Sequence, residues 1–239
     1  MAKQFLRTQG KGAAILRGAN LTRYCVREAS QGVTYWLDRP AFVAGKTSLK
    51  VHDGQYPRVG FQRSAPANNY RRLIAARLAK GSHCFDTVSY VTEPDSEIPL
   101  DALIGLLNSA LYEWWFRLLS TNSKVNKYQF DLLPMVAFSG KSGAAEAATR
   151  IQQRDWQGLV VVARRVRKAP AWGLTAIAQI ACAITKLEKR RKLKDRKARA
   201  RLGPKATELQ HHLDNLIFAL FGLNQADAKY VRGRLDQAH

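Results

Sequence analysis

Residues 100–134, LDALIGLLNSALYEWWFRLLSTNSKVNKYQFDLLP, constrain the fold of this chain more than any other stretch. Leu103, Ile104, Leu107, Leu111, Trp114, Trp115 and Leu118 recur at i, i+3, i+4 and i+7, so one side of a helix must be buried. Asp95 or Ser96 is placed to cap that helix, with Pro99 inside its first turn. Ser120 to Lys127 is a polar loop, and Tyr128 to Pro134 closes the unit. Upstream of Asp95 the period is two. Ala14 to Val26 and Val33 to Leu37 read as a hairpin turning at Ala29-Ser30-Gln31-Gly32. Pro57 to Gln62 reads as a short strand whose Gly60 allows a bulge or a close backbone approach. Arg72 to Leu78 and Cys84 to Val91 read as further strands, split at Lys80-Gly81-Ser82. The expectation is a small, mostly antiparallel sheet with a helix packed on it.

Beyond this unit the sequence turns helical. Ser139-Gly140-Lys141-Ser142-Gly143 has the composition of a linker. Ala144 to Arg167 follows as one helix or a broken pair. Leu174, Ile177, Ala178, Ala181, Ile184 and Leu187 mark the apolar face of another helix, expected to end at Gly203-Pro204. Leu209, Leu213, Leu216, Ile217 and Leu220 mark a third. Gly222 should stop it, and Asn224 should cap a last short helix. The predicted fold class is therefore α+β: a sheet-and-helix domain over residues 1–138, a linker over 139–143, and an all-α domain over 144–239.

Charge narrows the partners. The chain carries 39 Lys+Arg against 18 Asp+Glu, a formal net charge of +21. Such an excess attracts polyanions, of which nucleic acid is the commonest large one. Lys186 to Lys205 alone holds eleven Lys/Arg against Glu188 and Asp195. Cys25, Cys84 and Cys182 are odd in number and form no CxxC pair, which disfavours a disulfide framework or a zinc site and suits a reducing cytoplasm. The first 18 residues lack the apolar run of a secretion signal, and no stretch approaches the roughly 20 apolar residues of a membrane span.

Catalytic machinery is not expected. Gly10-Lys11-Gly12 is a lone GxG with no third glycine and no preceding strand, and Gly140-Lys141-Ser142 lacks the spacing of an ATP-binding loop. Asp155 and Glu188 fall on predicted helices, where a surface salt bridge is the expected role of Glu188. The pair His211-His212 points two ways on a helix, poor geometry for one metal. Binding chemistry is plentiful by contrast. Arg17, Asn20, Arg23, Arg58, Gln62, Arg63, Asn68, Asn69, Arg71 and Arg72 lie on the predicted strands and their loops. Arginine can fork onto guanine O6/N7, and asparagine or glutamine can pair with adenine N6/N7. Lys124, Asn126, Lys127 and Tyr128 share one loop and suit phosphate contacts. On this reading Arg58→Ala and Arg63→Ala relax a sequence preference, whereas Lys194→Ala in the basic run lowers affinity uniformly.

Several of these pieces, in the same order, resemble the TaqI-like C-terminal specificity domain of adenine-specific DNA methyltransferases and type II restriction-modification enzymes. Arg17-Gly18-Ala19-Asn20-Leu21-Thr22-Arg23-Tyr24 resembles the opening strand of that family, and Tyr56-Pro57-Arg58-Val59-Gly60-Phe61-Gln62-Arg63 its following strand. Arg72-Leu73-Ile74-Ala75-Ala76 is similar to the strand after it. Leu106-Leu107-Asn108-Ser109-Ala110-Leu111 resembles the family's L-L-N-S-x-L helix, Leu132-Leu133-Pro134 its L-P end, and Phe218 to Leu223 its Y-x-L-Y-G-L tail. The resemblance covers about residues 15–136 and the tail. It implies target recognition on double-stranded DNA, with S-adenosylmethionine and the methyl-transfer chemistry on a separate catalytic chain. The Asn/Asp-Pro-Pro-aromatic loop of such enzymes is absent from this sequence. A basic RNA-binding or ribosome-associated protein is the alternative that charge alone supports, and an assembly module whose C-terminal helices dock a methyltransferase chain is a third.

Overall fold

A computed structural model describes residues 6–8, 13–27, 34–44, 52–66, 69–120, 123–193 and 196–237. The turn expected at 29–32, together with Gly10-Lys11-Gly12, Asn68 and Lys194, lies outside them.

The N-terminal half is built of short strands: β1 (Leu6–Arg7), β2 (Ala13–Leu16), β3 (Leu21–Thr22), β4 (Cys25–Val26), β5 (Tyr35–Leu37), β6 (Arg58–Gln62), β7 (Ala75–Leu78), β8 (His83–Cys84) and β9 (Val88–Thr92). They form three small sheets, ordered β1-β5-β2-β8, β3-β4 and β7-β6-β9. All pairings within them are antiparallel except β2 with β8. Val59 of the central strand β6 sits opposite Arg77 of β7 and Val91 of β9. Gly60 allows close approach here, because a Cβ would come within 2.7 Å of Leu78 Cδ1.

The strand expected over Ala14 to Val26 is broken. A 3₁₀ turn at Gly18–Asn20 interrupts it, where Asn20 Oδ1 accepts the Arg17 N–H at 2.8 Å. Tyr24 then adopts φ +66°, an uncommon conformation for an aromatic residue. Its backbone N–H donates to Ala75 O at 2.9 Å, which folds β3 and β4 back over β7.

The helices are α1 (Arg39–Val43), α2 (Leu100–Leu107), α3 (Ala110–Leu119), α4 (Lys127–Asp131), α5 (Ala144–Gln153), α6 (Trp156–Arg165), α7 (Trp172–Leu193), α8 (Arg196–Leu220) and α9 (Gln225–Asp236). The architecture is thus α+β, with antiparallel-rich sheets followed by a helical half. The long amphipathic helix expected after residue 95 is two helices, with Pro99 at the first N-cap. Asn108 and Ser109 divide them. Asn108 Nδ2 donates to Ala75 O at 2.9 Å and its Oδ1 accepts the Ala75 N–H at 3.2 Å. Ser109 Oγ accepts the Tyr112 N–H at 3.3 Å and so caps α3. The Asn-Ser pair therefore stitches the helical layer to β7.

Pro204 does not end a helix, contrary to the reading of Gly203-Pro204 as a stop. It lies inside α8. A helical proline removes one backbone bond, but this turn is exposed, so water can reach the released carbonyl. Beyond it, buried Ala206, Leu213, Leu216 and Ile217 hold the helix in place. Asn224 caps α9 as expected.

One hydrophobic core runs from Val59, Phe61 and Ala75 through α2 and α3 into α6, α7, α8 and α9. Residues 139–143 are bonded across to the start of α7: Gly140 N–H donates to Ala169 O at 3.0 Å, and Trp172 Nε1 to Ser142 O at 3.0 Å. Helices α2 and α7 meet at Gly105, where a Cβ would lie 2.6 Å from Ile177 Cγ2 and 3.3 Å from Ala181 Cβ. Overpacking of this kind costs about 3 kcal/mol at the upper end of the usual range. Gly105→Val is accordingly expected to lower the melting temperature by roughly 6–12 °C, read by circular dichroism. An unchanged melting temperature would mean the two helices pack more loosely than this.

Candidate nucleic-acid interface

The arginines and amides singled out from sequence separate into three groups. The first is internal. Arg58 is 2% exposed and its Nη2 donates to Ser82 O at 2.5 Å and Ser82 Oγ at 3.1 Å, with the guanidinium over the Tyr90 ring. Arg72 is equally buried; it donates to Ser120 O and Oγ and covers the Phe116 ring. Arg71 donates to Ser109 O at 2.9 Å and lies 3.7 Å from the Glu113 carboxylate. Burial, reinforced by the neighbouring Arg23 cation, lowers its pKa to about 10. Buried Asn20 donates to Arg27 O while holding the 3₁₀ turn. These four side chains face the interior of the chain, so we assign them to the fold.

The second group converges. Arg23 from the β3–β4 turn, Gln62 from the end of β6 and Asn69 from the loop before β7 all line one cleft of about 540 Å³. Its opposite wall is the paired helices α7 and α8, which contribute Ile184, Glu188, Arg191, Thr207 and Gln210. Arg27 and Tyr70 also line it, and both are exposed. Within the cleft Gln62 Nε2 donates to Leu21 O at 2.9 Å, and Arg191 pairs with Glu188 at 2.9 Å. Glu188 thus keeps the salt bridge expected of it, but on an inward side of α7.

A polar chain joins the two walls of the cleft. The Tyr24 hydroxyl donates to Gln210 Oε1 at 2.5 Å, Gln210 Nε2 to Asp214 Oδ1 at 3.0 Å, and the Ala110 N–H to the same Asp214 oxygen at 2.8 Å. Arg23 adds a bond to Asn108 O at 2.8 Å. Burial pushes the Tyr24 phenol up to about 12, so it remains a donor across the neutral range. The sheet, the α2–α3 junction and α8 are in this way tied together behind the cleft.

The third group is peripheral. Backbone bonds from Val125 N–H to Arg63 O and from Ala65 N–H to Ser123 O pair the loop before α4 with the end of β6, which brings Arg63 and Lys124 together. Both are exposed. Arg17 lies over the rings of Tyr35 and Phe85. Asn126 caps α4 in a reciprocal box with Gln129, Lys127 opens that helix, and Tyr128 is exposed.

Arg27, Tyr70, Glu188 and Arg191 were not singled out as a site from sequence. The signal was available for two of them. Ile184, Glu188 and Arg191 stand at i, i+4 and i+7 on α7, and Gly203, Ala206, Thr207 and Gln210 at i, i+3, i+4 and i+7 on α8. These spacings mark one side of each helix, but their meaning needs the sheet that they face. Among the described residues no group of three His, Cys, Asp or Glu is placed to hold a metal ion, and no helix is long and apolar enough to cross a membrane.

No family model matches the chain, and no curated protein does. Among solved structures the chain is similar to the Type IIL restriction-modification enzyme MmeI, solved in complex with DNA, with a TM-score of 0.44 and 10% identity. That distant likeness covers 99% of this chain and 31% of MmeI, so the chain spans about a third of that enzyme.

Proposed function

We propose that this chain is a target-recognition subunit or fragment of an adenine-N6 DNA methyltransferase or restriction-modification system, binding duplex DNA at the cleft and its cationic margins. The observation that carries the reading is convergence. Arg23, Gln62 and Asn69, distant in sequence and chosen for base-reading chemistry, line one cleft with Arg27 and Arg191 in a chain of net charge +21. Arginine and amide groups supply the donors and acceptors that base edges require. Arg63 and Lys124, brought together at the periphery, supply the backbone-positioning contacts that fix register. The ordered motifs between residues 15 and 136 support the same assignment. On this reading S-adenosylmethionine and the transfer step belong to a catalytic partner chain, and this chain binds DNA without methylating it.

Salt dependence tests the reading. With four phosphate contacts, from Arg27, Arg63, Lys124 and Arg191, the log–log slope of affinity against salt is expected to be about −3.6, at about −0.9 per contact. The double substitution Arg27→Ala/Arg191→Ala should flatten it by about 2. Fluorescence anisotropy with a labelled duplex measures both, and competition with random duplex and structured RNA measures preference. A flat slope, or stronger competition by structured RNA, would favour a basic RNA-binding protein instead.

A further inference from the structure

Helices α7 and α8 have a side that the cleft does not use, and it is cationic. The cleft takes Ile184, Glu188 and Arg191 from α7 and Gly203 and Thr207 from α8. Two positions along an α-helix turn it by roughly 200°. Lys186 stands two positions after Ile184, Lys189 two before Arg191, and Arg190 two after Glu188. Arg201 and Lys205 stand two positions to either side of Gly203. These five side chains therefore lie on the back of the helix pair, away from the cleft, and all five are exposed. They form one row on each helix, spaced i, i+3, i+4 on α7 and i, i+4 on α8. Neighbours within a row sit about 5–6 Å apart. Packed helices set the two rows about 8–10 Å from each other.

The back carries no compensating acid. Glu188 turns to the cleft and pairs with Arg191, and Glu208 lies 4.0 Å from His212 Nε2. Among the described residues no carboxylate pairs with any of the five cations. From Ala183 to Glu208 the sequence holds no amide or aromatic side chain. What remains is cations on a stiff scaffold, the chemistry of phosphate contact. Two such rows suit the lips of a major groove about 12 Å wide. One straight duplex cannot serve the cleft and the back together, because they face opposite ways. Duplex DNA is stiff over about 150 base pairs, so it does not turn back around a chain this small. Two separate duplexes are tolerated: a helix about 10–12 Å thick parts them, more than the screening length of about 8 Å at physiological salt.

We propose that the back of α7 and α8 holds a second duplex segment by its phosphates, so that one chain bridges two stretches of DNA. The cleft reads one, and the back grips the other without regard to sequence. This rests on the duplex-binding reading above and adds an independent face to it.

The test uses the full chain and duplexes of about 12 base pairs, roughly 40 Å long and too short to reach both sides. One duplex is held on beads and a fluorescein-labelled one is free in solution. The chain is expected to retain the labelled duplex on the beads, and sedimentation velocity should find two duplexes on one chain. Replacing Lys186, Lys189, Arg190, Arg201 and Lys205 together by Gln, itself a good helix former, should leave the circular dichroism unchanged. It should weaken the second duplex by about tenfold or more and keep the first. The second site alone should show a salt slope of about −4.5, from five contacts at about −0.9 each. In Arg27→Ala/Arg191→Ala the back should still hold a duplex, without sequence preference. One duplex per unaltered chain, or bridging that survives the five substitutions, overturns this inference and leaves the cleft reading intact. Two chains in the bridged complex also overturn it, and so does polyglutamate that displaces the second duplex as readily as DNA does, which would mark the back as a seat for an acidic protein. Failure to bind any duplex overturns both readings.

Discussion

Glu113→Ala is expected to destabilise the protein by about 4 kcal/mol, the middle of the range for removing one partner from a buried ion pair. The carboxylate is 1% exposed. Its oxygens accept the Arg72 N–H at 2.9 and 3.1 Å, the Leu73 N–H at 2.9 Å and Arg117 Nε at 2.7 Å, with Arg71 Nε at 3.7 Å. Alanine would leave two buried amide donors without acceptors and two guanidinium groups without their counter-charge, and each lost bond of this kind carries its own desolvation penalty. Glu113→Gln should recover little, because its amide NH₂ would face donors. Urea unfolding followed by circular dichroism should show a lower midpoint at unchanged slope. A cost under about 1 kcal/mol would show that water reaches these groups. The effect should extend to binding: Arg117, which Glu113 orients, also donates to Asn69 O at 2.7 Å, and this holds the loop that carries Asn69 and Tyr70 to the cleft.

Periodicity made the helical layer legible, and contacts distant in sequence decided what remained hidden. Seven apolar residues between Leu103 and Leu118 announce a helix on their own. The division of that helix at Asn108 depends on Ala75, 33 positions upstream, and local spacing cannot supply it. Pro204 was misread for the opposite reason. The local rule is sound, but tertiary packing of Leu213, Leu216 and Ile217 outweighs one missing bond on an exposed turn. The strand half was legible as a collection of short strands. Its division into three sheets was not, because Tyr24, a residue type that favours strands, bends the chain through a bond to Ala75 far along the sequence. For the candidate site, residue type alone did not decide depth. An arginine on a strand reads alike whether it meets solvent or a carbonyl beneath the sheet. Arg23 and Gln62 reach the cleft, whereas Arg58, on the same β6 strand as Gln62, points into the protein. The face shared by Ile184, Glu188 and Arg191 was written in the sequence, but a basic run surrounding it concealed which side turns inward.

Arg58 and Arg27 give opposite expectations from the same substitution. Arg58→Ala should cost about 3 kcal/mol, the sum expected from a buried cavity and from polar groups at Ser82 stripped of their donor. The guanidinium donates to both Ser82 oxygens and packs on Tyr90 at 5.2 Å. The Ser82 oxygens gain no water in its place, since Ser82 is itself buried. Arg58→Met should be milder, because it refills the volume and removes a charge that has to be kept out of water. Arg27→Ala, at an exposed position, should change stability by less than about 0.5 kcal/mol. Under the proposed function, DNA binding should reverse the ranking. The folded fraction of Arg58→Ala should keep the sequence preference of the unaltered chain, because the lost side chain does not reach the cleft. Arg27→Ala should bind every duplex more weakly and reduce the salt slope by about 1. Urea titrations paired with anisotropy on both variants decide between the depths assigned to these residues. If Arg58→Ala were as stable as the unaltered chain and lost its base preference, Arg58 would belong to the interface after all, and the wall of the cleft would have to be redrawn along β6.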